Sequence, residues 1–174
     1  MKKLGIKILD ENNWLEPDKV INGFHRIQID GSTSSLTISE WFVEIKKAKL
    51  EDNIPDEVQK LFEVARGTMA YGYFFYPIFT FASEQFARIA ETAVNIKCSE
   101  FTLPKSKNTF KKKVEWLLQE KLISRETYNK WESIIFLRNK FSHPSKQNIY
   151  TPFMAFELMN SIATNINKLF AVSG

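Results

Sequence analysis

One cysteine, Cys98, and two histidines, His25 and His143, are all that this 174-residue chain offers in thiol and imidazole chemistry. A lone cysteine excludes an internal disulfide. One Cys and two distant His supply no zinc set of the usual spacing, so no metal is expected, and nothing in the sequence asks for another cofactor. Few side chains are left to move protons near neutral pH. A long apolar run is missing as well. Gly67 to Ser83 carries no charge, but it contains Gly67, Gly72 and Pro77 and falls short of the ~20 mostly apolar residues of a spanning helix. It reads as a buried helix pair, with no membrane contact. The apolar run at the N-terminus is too short for a signal peptide, and Asp10 and Glu11 follow it directly. A reducing, cytoplasmic setting is expected. There is no internal repeat and no low-complexity segment.

What is present is a folding composition. Hydrophobic residues make up 44% of the chain and charged residues 25%, as in ordinary soluble domains. Fifteen phenylalanines point to a Phe-rich core. The length suits one domain, or one domain with an extension, large enough to bury a core without staples. A net charge of +4 allows a polyanionic partner without demanding one.

Residues 1–52 read as a small N-terminal extension. Ile27 and Ile29, then Leu36 and Ile38, alternate on either side of Asp30-Gly-Ser-Thr33, the pattern of a β-hairpin with a polar turn. Thr37 and Glu40 have capping-box spacing ahead of a short helix carrying Trp41. Residues 53–174 read as an all-α bundle of four or five helices. Pro55, Asp56 and Glu57 open the first, with Val58, Leu61, Phe62, Ala65 and Met69 at helical spacing. Pro77 breaks that run. A second helix carries Phe79, Phe86, Ala90 and Val94, and a third carries Phe110, Val114 and Leu117. Ser124 caps a fourth, from Arg125 to about Ser142, and Thr151-Pro152 opens a fifth.

The chemistry gathers near the end of the fourth helix, in Arg138-Asn-Lys-Phe-Ser-His143. At about 100° per residue, Arg138 falls among Trp131, Ile134, Ile135 and Phe141. A charge on that side needs a carboxylate, a ligand or a polar interface. Pro144 disfavours a helical His143 and lets it swing toward the arginine. Two readings stay open: a phosphate-handling pair, or an Arg138 that pairs with an acid inside the bundle beside a histidine that merely ends a helix. Glu84, Arg88 and Glu91 share one face of the second helix. They are either support for the site, a carboxylate there being a partner for Arg138, or a solvated stripe. Lys105, Lys107, Lys111, Lys112 and Lys113 are either an RNA-attracting cluster or a solvated face. Tyr71, Tyr73, Phe74, Phe75 and Tyr76 suit core packing or a dimer face better than base stacking. His25 and Cys98 read as structural.

Arg138-Asn-Lys-Phe-Ser-His143 resembles the Arg-x4–6-His motif of the HEPN superfamily, whose domains are small all-α bundles. There a polar residue often follows the arginine, as Asn139 does here, and the motif precedes the last core helix. The resemblance covers about residues 53–170 and leaves 1–52 outside. It implies a metal-independent endoribonuclease, of the kind found in toxin–antitoxin and phage-defence systems, working as a homodimer with a composite cleft on an RNA substrate and answering to an antitoxin or another regulatory protein. It also implies roles. His143 acts as general acid/base, Arg138 holds the scissile phosphate, and Asn139 and Ser142 orient the pair. Glu84/Arg88 loosely matches a Glu-x3-Lys/Arg element of some HEPN families. The superfamily also contains non-catalytic bundles that bind a protein or nucleic-acid partner, which is the alternative function.

Overall fold

A computed structural model describes residues 6–27, 30–142 and 150–171. Six α-helices account for most of it: α1 (Ile38–Lys47), α2 (Asp56–Ala70), α3 (Ile78–Ser99), α4 (Phe110–Gln119), α5 (Arg125–Phe141) and α6 (Pro152–Ala171). Two short strands, β1 (His25–Ile27) and β2 (Thr33–Ser35), pair antiparallel with His25 opposite Ser35. The molecule is thus an all-α bundle with a small N-terminal extension, and α2 to α6 are its five main helices.

The helix starts follow from local chemistry. The Thr37 side chain accepts from the Glu40 amide while Glu40 reaches back to the Thr37 N–H, a complete capping box. Thr109, Ser124 and Thr151 each accept an amide hydrogen of the first turn, from Lys112, Thr127 and Met154. Pro77 caps α3 after a single 3-10 turn at Tyr71–Tyr73. The uncharged Gly67–Ser83 stretch is therefore the end of one helix and the start of the next. Among the described residues no helix is long and apolar enough to cross a membrane.

The α3 helix is the hub, packing against α2, α4, α5 and α6. Its buried face alternates Phe79 and Phe86 with Ala82, Ala90 and Ala93, and the small residues let neighbouring helices approach. The extension is not a separate layer. Ile21, Trp41, Ile45 and Ala48 belong to the same apolar cluster as the bundle. The Trp41 ring lies 5.7 Å from Phe79 and 5.2 Å from Phe156, distances at which aromatic pairs attract beyond their area burial. Asp18, only 2% exposed, ties the extension to the α2–α3 connection. Its carboxylate accepts from the Tyr76 amide at 2.9 Å, and its own amide donates to the Tyr73 carbonyl at 3.0 Å.

The hairpin differs from the sequence expectation. Its strands are shorter, and Ile38 opens α1 instead of extending β2, because the capping box at Thr37 turns the chain into a helix. Ile27 is 76% exposed, so the alternation of isoleucines does not mark a core-facing strand. Gly31 takes φ +81° in the turn, a conformation that costs glycine little. Ile29 lies outside the described residues.

Candidate functional site

The α5 helix sets the site. Trp131, Ile134 and Ile135 bury its inner face, and Arg138 continues that side one turn later. Its side chain is only 34% exposed. The partner it needs is supplied by α3: Arg138 Nε donates to Glu91 Oε2 at 2.7 Å, and the Glu91 side chain is itself 24% exposed. Ser142 closes the helix end around the same residue. Arg138 Nη1 donates to Ser142 Oγ at 3.0 Å, and that hydroxyl donates to the Arg138 carbonyl at 3.1 Å. The guanidinium is thereby held at two of its nitrogens. Of its five N–H donors, the others carry no hydrogen bond among the described residues.

Beside the pair lies an open cleft of about 430 Å³. Arg138, Asn139 and Ile135 of α5, Glu91 of α3, and Asn108 to Lys111 at the start of α4 line it. Phe110 and Ile135 form an apolar floor, both nearly buried. Two cationic side chains, Arg138 and Lys111, stand on its wall.

The other expected residues scatter. His143 and Pro144 lie outside the described residues, so the meeting of His143 with Arg138 remains a sequence expectation. Glu84 is half-buried and Arg88 exposed, and neither forms an ion pair among the described residues. Seven residues, or about 10.5 Å of helix rise, separate Glu84 from Glu91. Glu84 lies on α3 between Glu91, tied to Arg138, and Thr80, whose hydroxyl accepts from the Tyr150 amide at 2.9 Å. Of the lysines only Lys111 lines the cleft. Lys113 turns to Asn95 Oδ1 at 2.7 Å and Lys107 to Gln119 Oε1 at 3.2 Å, while Lys105 and Lys112 are exposed. Consecutive helical residues point about 100° apart, so a run of three lysines cannot form one patch.

No family model, curated protein or solved structure matches this chain. The HEPN resemblance therefore rests on the motif and its helical setting.

Tyr73 and Tyr76 pack against the core. His25 is exposed on β1. Cys98 is buried, and burial pushes its thiol up to about 11, so it is a packed side chain with little nucleophilic character. No group of three or more metal-ligating side chains gathers among the described residues. Sequence reasoning did not single out Asn108. It sits in the polar connection before α4, and only folding brings it into the same cleft as Asn139. Glu91 carried a signal, since it shares a face with Glu84 and Arg88 and Arg138 required an acid.

Proposed function

We propose that this chain is a metal-independent endoribonuclease of the HEPN type, working in the cytoplasm as a homodimer with a composite site, in the manner of a toxin or phage-defence effector under an antitoxin or regulatory protein. The observation that carries this reading is the fixed guanidinium of Arg138 at the wall of an open cleft, five residues before His143 in the chain.

In this reading Arg138 binds the scissile phosphate through the N–H donors that Glu91 and Ser142 leave over, and stabilises the charge growing on its oxygens. His143 serves as acid/base. The 2′-hydroxyl loses its proton as its oxygen bonds to phosphorus. The bond from phosphorus to the departing 5′-oxygen breaks, and that oxygen takes up a proton. The products are a 2′,3′-cyclic phosphate and a 5′-hydroxyl. Asn139 and Ser142 orient the pair, and Glu84 and Arg88 provide outer support. Lys105, Lys107, Lys112 and Lys113 contribute long-range attraction for RNA, and Lys111 contributes it inside the cleft.

The test is cleavage of RNA in EDTA. Arg138→Ala and His143→Ala are each expected to lower the rate by about 100-fold or more with the helical circular-dichroism spectrum retained. Wild-type rates in both folded variants would sink the proposal.

The Glu91–Arg138 ion pair also favours a second reading, a non-catalytic HEPN-like module that binds a protein or nucleic-acid partner. A half-buried arginine with a carboxylate partner is a common way to join two helices. Under this reading wild type cleaves no RNA, and substitution of Arg138 shifts stability or partner association only.

A further inference from the structure

The cleft beside Arg138 holds more than a phosphate contact needs. A bare phosphate asks for donors and positive charge, and has no use for an apolar floor. Here Phe110 and Ile135 supply such a floor. The Phe110 ring packs edge-on against Trp131 at 6.1 Å. At about 430 Å³ the cleft falls in the range of roughly 300–1,000 Å³ typical of small-molecule sites.

Its rim has the right polar groups for a base. Asn108 and Asn139 both line it, and neither side-chain amide hydrogen-bonds to another described residue. Each presents a donor and an acceptor together, the pattern that pairs with the edge of a nucleobase. Thr109, which also lines the cleft, is already committed, because its hydroxyl caps α4 at the Lys112 amide. Charge is placed for a phosphate at the same cleft. Among the described residues Lys111 pairs only with Glu115, at 3.9 Å, and Arg138 keeps unused donors.

Resting on the ribonuclease reading, we infer that this cleft is a base-recognition subsite. It seats one nucleotide of the RNA chain with its base on Phe110 and Ile135, its base edge read by Asn108, and its phosphate between Lys111 and Arg138. Asn108 is then a specificity residue and takes no part in the chemical step.

The experiment uses the full chain and trinucleotides of 2′-O-methyl RNA, one for each central base. Methylation blocks attack by the 2′-oxygen, so binding is read without cleavage. Wild type should bind one or two central bases about tenfold more tightly than the rest, the factor that one good hydrogen bond supplies. Asn108→Ala should erase that preference, and Lys111→Ala should weaken all four trinucleotides together. Free nucleoside monophosphates as competitors separate a site for a lone nucleotide from one for a nucleotide in a chain. Competition as strong as that of the trinucleotides would overturn the RNA assignment. Equal binding of all four bases by wild type, or unchanged preference in Asn108→Ala, would also overturn the inference. RNA cleavage with no such preference removes the subsite and keeps the nuclease. Base-selective binding without cleavage of unmodified RNA does the reverse.

Discussion

Arg138 and Glu91 lie 47 residues apart in the chain and meet at 2.7 Å, joining the end of α5 to the middle of α3. Both side chains are partly withdrawn from water, so neither is well placed to lose the other. Glu91→Gln keeps the shape and removes the charge. It should lower stability by about 1–2 kcal/mol, seen as a lower denaturant midpoint at unchanged slope. A double-mutant cycle with Arg138→Gln should show coupling of about 1 kcal/mol. Additivity of the two single effects would mean that the contact is geometric and carries no energy.

Trp41 sits between the extension and the bundle, against Phe79 and Phe156. Removing residues 1–52 would uncover those rings. Such a truncation should lose cooperative thermal unfolding, and Trp41→Ala in the full chain should cost about 3–5 kcal/mol. A truncated chain that melts as sharply as the intact one would show the bundle to be independent of its extension.

Gly72 occupies the single turn between α2 and α3. A Cβ there would lie 2.5 Å from Cζ of Phe79, closer than carbon atoms approach. Phe79 is itself wedged against Trp41 and Phe156 and has little room to retreat. Gly72→Ala should therefore destabilise by about 1–3 kcal/mol. Calorimetry would read it as a drop in Tm, and an unchanged Tm would mean that the ring can shift freely.

Cys98 gives a pH signature. Burial raises its thiol pKa to about 11, above that of the unfolded chain. Unfolded chains therefore release this proton first as pH rises, and the native state holds more protons over that interval. Its contribution is complete below the ordinary thiol pKa and is lost as pH climbs toward about 11. Stability of wild type should fall across that window more steeply than that of Cys98→Ala, measured by urea unfolding at several pH values. Alkylation at pH 8 should be slow in the native protein and fast in denaturant.

The site was partly legible in the chain. The helical wheel puts Arg138 on an apolar side, and from that follows its need for an acid. Which acid could not be read. Glu84 and Glu91 are two turns apart on one face, and the choice between them depends on how far along α3 the end of α5 comes to rest. The lysine run was the least informative signal. Its members leave α4 in different directions, so only Lys111 reaches the cleft.

The helices and most of their ends follow from neighbouring residues alone, because caps, prolines and apolar spacing act within a few residues of each other. Thr37, Ser124 and Thr151 all do locally what their positions foretell. Tertiary structure alone decided what meets what. It set Glu91 rather than Glu84 on Arg138, brought Asn108 into the same cleft as Asn139, and drew Trp41 out of the extension into the core. Those outcomes depend on the relative height and rotation of packed helices. Many side chains settle these together, and no short stretch of sequence encodes them.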